Sequence, residues 1–528
     1  MSWKEEVEGI EKRRELAGRQ GGPEAIAKHH ERGKLTVRER VGGLFDEGSF
    51  REVAPLAGSP HFENGELTDF TPANYVLGTG RIGGRICAVG GEDFTIRGGS
   101  PSPGGLRKSV YAETLALRYR IPLVRLHEGG GGSVGGSAGG SAGGSGGSGS
   151  TPRAPGPDGL NSVPRFMSVM EVLGMVPVVS AAMGPTAGMP AARMAASHFT
   201  LMVKDTSQVM VGGPALVERA VGKRLSKEEL GGHRVHLSNG VVDNLAKDEA
   251  DAFAQIRRFL SYLPENVHKL PPVLPCDDPI ERADEALLSI IPRDRRKVYK
   301  MRALIEHVVD RGSFFELAPK FGPSQITGLA RLAGRPVGIL ANDPLYYAGA
   351  MTAAAAEKLT RLVDLCDQFH LPIISLVDQP GFMIGPDAEK QGTIRRGATA
   401  LCAVMQSRVP WASVIVRKTY GVAGAAHFGP TGITLAWPSA ETGALPLEGG
   451  VAVAFRREIA EAPDPEARRR ELEEALASRR DPYRGGESGS VHDLIDPRST
   501  RRHLCQYLEL SSPLLESQLG PVQRGPRP

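Results

Sequence analysis

The sequence predicts an α/β protein made of two tandem domains that are related by internal duplication. Its 528 residues are several times the length of a typical domain. Several segments of the first half recur in the same order in the second half. In both halves, apolar runs typical of buried strands end in glycine-rich turns and are separated by helical patterns.

The matching segments define the duplication and one large insertion. RIGGR matches RLAGR and YRIPLVRLHEGG matches FHLPIISLVDQP at an offset of 250 residues (331 − 81), and DEGSFREVAP (46–55) matches DRGSFFELAP (310–319). Further on, VPVV at position 176 matches VPWA at position 409, an offset of 233 (409 − 176). The first copy therefore carries 17 extra residues (250 − 233) between two of its strands.

A Gly/Ser-rich stretch lies in this insertion. HEGGGGSVGGSAGGSAGGSGGSGS (127–150) follows the apolar run IPLVRL and has the composition of a flexible linker. Because it falls between two strands that should share one sheet, it is not the connector between the domains. Its first glycines end a strand, opposite the VDQPGF turn of the second copy. The remainder is expected to be a mobile excursion.

Each copy is predicted to run strand, strand, glycine loop, helix, strand, glycine loop. The helix is clearest at 353–369, where apolar residues repeat at helical spacing: Leu359, Leu362, Val363 and Cys366. Strand–helix–strand order predicts right-handed crossovers, buried sheets and ligand sites at the carboxyl ends of the strands. We predict domains at residues 1–265 and 280–528, joined by a Pro-rich linker at 266–279.

Composition and charge exclude several classes of protein. The net charge of +4 is spread evenly, which argues against a nucleic-acid partner. The five cysteines are far apart, so neither a metal site nor a disulfide framework is expected. Prolines interrupt the uncharged stretch Val172 to Ala192, and the N-terminus is charged without an apolar core. The sequence therefore predicts a cytoplasmic protein with no membrane partner.

The glycine loops are the candidate functional sites. Two backbone N–H groups that point at one ligand oxygen form an oxyanion hole, and small residues let the ligand approach. The first copy offers Gly129 to Gly132. The second offers YGVAGAAHFG (420–429), with small residues at Gly421, Val422, Ala423 and Gly424. A tight structural turn is the better interpretation of any single loop, whereas equivalent loops in both copies favour a site.

Other catalytic and binding motifs are weaker. The sequence has no GxxxxGK[ST] phosphate loop, no GxGxxG in a dinucleotide-binding context, and no GxSxG turn supporting Ser-His-Asp catalysis. His29 and His30 are expected to be solvated, and His427 to be a neutral structural histidine. The basic run RRKVYKMR (295–302) favours a solvated face, with a phosphorylated ligand as the alternative.

A further set of motifs identifies a family. HHERGKLTVRERVGGLFDEGSF (29–50) resembles the opening signature of the carboxyltransferase (β) subunits of biotin-dependent acyl-CoA carboxylases, of the propionyl-CoA and methylcrotonyl-CoA carboxylase type. The same resemblance is carried by GEDFTIRGGS (91–100), FTLMVKDTSQVMVGGPALV (199–217), KEELGG (227–232), VDQPGFMIG (377–385), GTIRRGA (392–398), RKTYG (417–421), AWPSAE (436–441) and DLIDPRSTR (493–501). These motifs are collinear and span nearly the whole chain.

The resemblance implies two crotonase-like (ββα superhelix) domains, with acyl-CoA on the N-terminal domain and carboxybiotin on the C-terminal domain. It also implies a hexamer, a trimer of dimers, in which the N domain of one subunit faces the C domain of its dimer partner. CO2 passes from carboxybiotin to the α-carbon, or vinylogous γ-carbon, of an acyl-CoA through enolates held in two backbone oxyanion holes. By motif position these holes fall on Gly130 and Gly131, and on Val422 and Ala423.

The resemblance assigns further substrate-binding positions and shows where this sequence departs from the family. These positions are Gly98, Gly99 and Ser100 in the first copy, and Gly421, Gly424 and Ala425 in the second. The family's SGGAR loop is GGGGS here, its AGGA is AGMP (187–190), and the run after GGS is PSPGG, so these three departures fall on the acyl-CoA side. Ala425 stands where propionyl-type members have an Asp, which predicts a different or bulkier acyl group.

The resemblance also implies partners. Because the chain lacks a biotinylation motif and an ATP-grasp domain, a biotin carboxylase and a biotin carboxyl carrier are required, separate or fused in one α subunit. Biotin then arrives as carboxybiotin on that carrier, and no metal is expected in this chain. Two alternatives stay open: a biotin-dependent acyl-CoA decarboxylase subunit, and a catalytically weakened scaffold paralogue in the same assembly.

Overall fold

The computed structural model describes residues 2–131, 166–477 and 483–524. They form two compact units. The first unit reaches to Lys269 and includes the C-terminal segment from Pro521, and the second spans Leu270–Gly520. The excursion expected after Gly131 lies outside the described residues.

The first unit is a sheet of mainly parallel strands with helices packed on it. Its strands are β1 (Arg51–Glu52), β2 (Gly58–Glu63), β3 (Glu66–Pro72), β4 (Tyr75–Ile82), β5 (Arg85–Glu92), β6 (Leu123–Gly129), β7 (Val178–Ala187), β8 (Phe199–Val203), β9 (Gln208–Met210) and β10 (Asn244–Ala246). Its helices are α1 (Lys4–Gly18), α2 (Pro23–His30), α3 (Val37–Leu44), α4 (Pro103–Tyr119), α5 (Met167–Leu173), α6 (Met189–Ala195), α7 (Pro214–Val221), α8 (Lys227–Gly231), α9 (His233–Asn239) and α10 (Glu249–Tyr262). The sheet order is β1-β4-β5-β6-β7-β8-β10, with β9 beside β7, while β2 and β3 form a separate hairpin.

The second unit repeats this plan. Its strands are β11 (Phe315–Leu317), β12 (Gln325–Leu332), β13 (Arg335–Asn342), β14 (Ile373–Gln379), β15 (Trp411–Tyr420), β16 (Gly432–Ala436), β17 (Glu441–Gly443) and β18 (Asp493–Leu494). Its helices are α11 (Met301–Val308), α12 (Ala353–Gln368), α13 (Pro386–Lys390), α14 (Thr393–Gln406), α15 (Gly421–Gly424), α16 (Leu447–Ala454), α17 (Arg456–Glu461), α18 (Pro465–Ala477), α19 (Arg484–Glu487) and α20 (Thr500–Glu516). The sheet order is β11-β12-β13-β14-β15-β16-β18, with β17 beside β15.

Strand registers confirm the internal duplication residue by residue. Leu123 pairs with Val178 in the first unit and Ile373 pairs with Trp411 in the second, which reproduces the offsets of 250 (373 − 123) and 233 (411 − 178). The parallel ladder is interrupted at the same place in both units, just before Gly129 and just before Gln379. The predicted α/β fold with two related domains is therefore correct.

The main crossover helices are built alike in both units. Ser102 caps α4 by accepting a hydrogen bond from the Gly105 N–H at 3.0 Å, and Thr352 caps α12 by accepting one from the Ala355 N–H at 3.1 Å. The apolar positions predicted for α12 are buried, since Leu359, Leu362, Val363 and Cys366 have exposed fractions of 2% or less.

Apolar strand residues form the core of each unit. Leu77, Ala88, Leu123 and Val178 are fully buried in the first, and Ile326, Ile339, Ile374 and Ala412 are fully buried in the second. This packing fixes the parallel strands side by side, so their carboxyl ends lie along one edge of each sheet. Within the described ranges, no helix is long and apolar enough to span a bilayer.

Candidate functional site

The first glycine loop starts where β6 ends and is flanked by the turn Arg97–Gly99. Gly99 has a φ of +71°, and an added Cβ would lie 2.4 Å from the Glu128 carbonyl oxygen. Only glycine fits this contact without displacing the strand. The predicted positions 98–100 and 130–131 therefore lie together at one strand end.

A second backbone segment, from the start of α6, meets this loop. An added Cβ on Gly131 would lie 2.7 Å from the Met189 nitrogen and 2.9 Å from the Gly188 Cα. Met189 is the first residue of α6, so its N–H is one of the donors that a helix leaves without an internal acceptor. The backbones of Gly131 and Met189 are thus neighbours that come from different loops.

Met189 was missed by the sequence-based assignment, which placed both donors of the first hole in one loop. The duplication holds the signal that identifies it, because Val422 follows Met189 at the second offset (422 − 189 = 233). Pro190, the next residue, has no N–H. The first turn of α6 therefore has one backbone N–H at this place, that of Met189, whereas the second copy has two, those of Val422 and Ala423.

A small recess lies beneath the first loop. Its volume is about 40 Å³, enough for about three water-sized groups. The recess is lined by the first glycine loop, the turn before α4, and the helices α4 and α6. Its lining residues include Gly99, Pro101, Leu106, Gly130, Met189 and Arg193. The recess is therefore bordered by the backbone of Gly130, Gly131 and Met189.

A buried carboxylate anchors the first loop. Glu128 is fully buried, accepts hydrogen bonds from Lys34 Nζ and from Arg40 Nη1 at 2.6 Å, and lies 3.3 Å from His29 Nε2. Burial opposes its ionisation, but the hydrogen bond from His29 and the charges of Arg40 and Lys34 prevail and lower its pKa to about 2. The charged carboxylate therefore ties the end of β6 to the N-terminal segment.

His29 contradicts the expectation that both N-terminal histidines are solvated. It is 4% exposed, and its Nε2 lies 3.1 Å from the Leu35 carbonyl oxygen as well as near Glu128. His30 is exposed as expected and pairs with Glu39 at 2.9 Å. Adjacent helix residues face different sides, and the buried Glu128 supplies a partner that no local pattern reveals.

The second copy has an equivalent anchor in Asp378, at the first offset from Glu128 (378 − 128 = 250). It is fully buried and accepts hydrogen bonds from Arg417 Nη2 at 2.8 Å and Tyr299 Oη at 3.0 Å. Tyr299 belongs to the basic run at 295–302, and Arg302 of the same run pairs with Glu316 at 2.6 Å. Arg296, Lys297 and Lys300 are exposed, as expected for a solvated face, whereas Tyr299 and Arg302 hold strands of the second sheet.

The second glycine loop forms the single-turn helix α15. Gly421 opens it with a φ of +61°, Ala423 is buried, and Val422 is 62% exposed. Gly424 packs on Thr419, whose Oγ1 would lie 2.8 Å from an added Cβ, and Ala425 is exposed at the edge of the loop. Because β14 and β15 are parallel neighbours, the turn after β14 lies beside this loop.

His427 lies below the second loop and is fully buried. Its Nδ1 is 3.0 Å from Ser375 Oγ, and its Nε2 is 3.3 Å from Asn342 Nδ2. Burial lowers its pKa to about 3, so the ring is uncharged at neutral pH. The prediction of a neutral structural histidine is confirmed.

The two units thus share one arrangement. Backbone N–H groups lie at the carboxyl ends of two adjacent parallel strands, and the charged side chains behind them, Glu128 and Asp378, are held in ion pairs. Preorganised backbone donors of this kind stabilise an oxygen that gains negative charge, as an enolate oxygen does.

Comparison with known proteins identifies the family to which the chain is related. A family model described as the carboxyl transferase domain matches residues 28–518. The carboxyltransferase subunit of propionyl-CoA carboxylase from Haloferax mediterranei is 36% identical over 530 residues, which cover 98% of each chain. The α subunit of methylmalonyl-CoA decarboxylase from Propionigenium modestum is 31% identical over 510 residues, covering 96% of this chain and 95% of that one.

A solved structure extends the likeness to the fold. The transcarboxylase 12S crystal structure, a hexamer assembly with methylmalonyl-coenzyme A bound, matches with a TM-score of 0.83 and 30% identity over 97% of this chain and 96% of that one. The likeness confirms the tandem crotonase-like domains implied by the motifs. On the extent of the family match and the identity of these relatives, the protein belongs to the carboxyl transferase family, as its motifs predicted.

Proposed function

We propose that this chain is the carboxyltransferase component of a biotin-dependent acyl-CoA carboxylase, which moves CO2 to the α-carbon, or vinylogous γ-carbon, of an acyl-CoA. The duplicated site carries the proposal, because each unit presents backbone donors at equivalent strand ends backed by a buried carboxylate. The family supports it, since its members include propionyl-CoA carboxylase subunits.

The first unit is proposed to hold the acyl-CoA. Gly130, Gly131 and the Met189 N–H surround the recess under the loop, where they can hold the thioester oxygen as it gains negative charge. The turn at 98–100 packs on the same strand end and is the proposed contact for the rest of the thioester. Glu128 keeps the loop in place and does not exchange protons, because its pKa is lowered to about 2 by His29, Arg40 and Lys34 against the effect of burial.

The second unit is proposed to receive biotin. The residues exposed on its loop, Val422 and Ala425, are small and uncharged, which fits a neutral and mainly apolar ring system. Bound as carboxybiotin, this group supplies the CO2. The Val422 and Ala423 N–H groups hold its carbonyl oxygen, and Gly421 and Gly424, at the two ends of α15, are further proposed contacts. Neutral His427 supports the loop from below.

The proposed assembly follows the relatives. Transcarboxylase 12S is a hexamer, and we propose a trimer of dimers in which the first unit of one subunit faces the second unit of its partner. A biotin carboxylase and a biotin carboxyl carrier, separate or fused, would supply the carboxylated carrier. The five cysteines are all free, which fits the proposed cytoplasmic location.

The first test uses the purified chain alone. It is incubated with free biotin and a panel of malonyl-, methylmalonyl-, longer alkylmalonyl- and methylglutaconyl-CoA, and biotin-dependent loss of CO2 is followed. Turnover of one thioester supports two functional sites and identifies the acyl group. Absence of turnover on every thioester, from a folded oligomer, would count against the proposal and favour the scaffold paralogue.

A second candidate function is a decarboxylase subunit, which the 31% identity to a methylmalonyl-CoA decarboxylase subunit favours. Both functions predict CO2 loss in the first test. Reconstitution with a biotin carboxylase, a biotin carrier, ATP and labelled bicarbonate separates them. Label entering the acyl-CoA supports the carboxylase, and CO2 loss without label entry supports the decarboxylase.

A further inference from the structure

The turn between β5 and α4 in the first unit has the same unusual backbone as the turn between β13 and α12 in the second unit. Arg97 has a φ of +56° and Tyr347 a φ of +51°, and they are related by the first offset (347 − 97 = 250). Their turn hydrogen bonds also correspond: the Ser100 N–H donates to the Arg97 carbonyl at 3.2 Å, and the Ala350 N–H to the Tyr347 carbonyl at 2.9 Å. Large side chains rarely adopt this left-handed conformation, which glycine adopts at no steric cost.

Each turn packs directly on an anchored strand end. Gly99, two residues after Arg97, would carry a Cβ 2.4 Å from the Glu128 carbonyl oxygen. Gly349, two residues after Tyr347, would carry one 2.9 Å from the Asp378 carbonyl oxygen. The left-handed residue therefore stands beside the glycine loop in the first unit and beside the equivalent turn after β14 in the second.

The two left-handed residues differ only in the chemistry of the side chain that they expose. Arg97 is exposed, and within residues 2–131, 166–477 and 483–524 its guanidinium has no hydrogen bond or ion pair. Tyr347 is 60% exposed, so most of its ring is available for contact. The same strained position thus offers a cation in one unit and an aromatic face in the other.

We propose, on the basis of the proposed function, that this position selects the ligand of each unit. Arg97 binds the phosphate groups of the coenzyme A ester, because a guanidinium forms paired, charge-assisted hydrogen bonds with phosphate oxygens. Tyr347 packs against the ring system of biotin, because an aromatic face suits a neutral and mainly apolar bicycle. The turn fixes where each side chain projects.

Two alanine variants test the inference in the CO2-loss assay. Arg97→Ala is expected to raise the KM for the coenzyme A ester roughly tenfold, more at low salt, and to leave the KM for biotin unchanged. The same variant should not change the KM for the matching pantetheine thioester, which has no phosphate. Tyr347→Ala is expected to raise the KM for biotin roughly fivefold without changing the KM for the coenzyme A ester, and Tyr347→Phe should restore it.

Control variants separate recognition from folding. Arg118 and Tyr119 are exposed at the end of α4, Tyr119 to 62%, and their alanine variants are expected to keep both KM values. Arg97→Gly and Tyr347→Gly relieve the left-handed strain, so they should raise the melting temperature while weakening the same ligand as the alanine variants. A variant that loses affinity through misfolding would lower the melting temperature instead.

Direct binding gives a readout that does not depend on turnover. Calorimetry with coenzyme A and saturation-transfer NMR with biotin are run on the wild-type chain and on both alanine variants. Selective loss of coenzyme A binding in Arg97→Ala and of biotin binding in Tyr347→Ala supports the inference, even if the wild type shows no turnover and the proposed function fails. Unchanged affinities, or both ligands weakened equally by either variant, overturn it.

Discussion

Glu128 and Asp378 occupy equivalent strand ends, but different partners neutralise them. Lys34 and Arg40 come from the N-terminal segment of the first unit, whereas Arg417 comes from the next strand of the second unit. A buried charge that loses its partner is strongly destabilising. The position of each loop therefore depends on single residues that are distant in sequence.

Glu128→Gln tests this anchor through its pH dependence. The folded-state pKa of about 2 is below the ordinary 4.5, because His29, Arg40 and Lys34 outweigh burial. The ionised carboxylate thus stabilises the fold above pH 4.5, and this contribution, roughly 3 kcal/mol, is lost as the pH falls from about 4.5 toward 2. Urea unfolding from pH 7 to pH 3 should show a smaller decline in the variant, which starts from a lower stability at pH 7.

The control for this experiment is Glu24→Gln, at an exposed carboxylate of the same segment. It is expected to unfold like the wild type at every pH. Equal acid sensitivity of the wild type and Glu128→Gln would show that the carboxylate does not anchor the loop.

Ala425→Asp addresses acyl preference. Ala425 is exposed at the edge of the second loop, where the resemblance places an Asp in propionyl-type enzymes. The added carboxylate should disfavour bulky apolar chains, and the ratio of kcat/KM for longer to shorter alkylmalonyl thioesters should fall roughly tenfold. Ala467→Asp, on the exposed face of α18, is the matched control. An unchanged ratio would remove Ala425 from the specificity-determining residues.

At the scale of elements, the start of α6 is as important as the glycine loop that it meets. An N-terminal helix residue keeps its N–H free for a ligand. Pro190 has no N–H, so in the proposed first site a single backbone donor, the N–H of Met189, comes from this helix.

Met189→Pro removes that N–H at a helix position where proline is tolerated. If the N–H stabilises the thioester oxygen, kcat for CO2 loss should fall roughly 100-fold. Met189→Ala keeps the N–H and shortens the same side chain, so it should affect turnover much less. Equal losses in the two variants would mean that the side chain, rather than the backbone donor, is required.

Gly131→Ala probes the contact between the two loops. The new Cβ would lie 2.7 Å from the Met189 nitrogen, so the loop or the helix must move apart. We expect kcat to fall at least roughly tenfold with a modest loss of stability. Gly130→Ala meets no atom within 4 Å and should be milder, and Gly42→Ala, also in open space, controls for folding. A neutral Gly131→Ala would contradict the close approach of the loops.

The strands and helices could be predicted from the sequence because the two copies can be compared with each other. Offsets of 250 and 233 residues survive in the strand registers, and the apolar periodicity of α12 is buried as expected. Gly99 and Gly421 have the positive φ values that glycine positions beside a site suggest. Local pattern and repeat together define where strands end and loops begin.

The partners of the buried charges could not be predicted from the sequence in the same way. The sequence around His29 and around Tyr299 is rich in charged residues, which suggests exposure to solvent. Their burial depends on Glu128 and Asp378, which are distant in sequence. Met189 lies in the AGMP segment (187–190), which the motifs identify only as a departure from the family. Such residues become functional through tertiary contacts, which no helical or strand period records.

At the scale of the whole molecule, the proposed function gives each chain two different half-sites. The proposed donors of the first unit are Gly130, Gly131 and Met189, and those of the second are Val422 and Ala423. In the proposed dimer, a working site combines the first unit of one subunit with the second unit of its partner. A symmetric dimer then holds two such sites.

Mixing two inactive variants tests this arrangement. Met189→Pro disables the first half-site and Val422→Pro the second, so each homodimer is expected to be inactive. In a mixed dimer one site carries both substitutions and the other carries neither. Random reassembly makes half of the dimers mixed, so activity should return to about a quarter of the wild-type value. If each site were formed within a single subunit, each of the two sites in a mixed dimer would carry one substitution, and no activity would return.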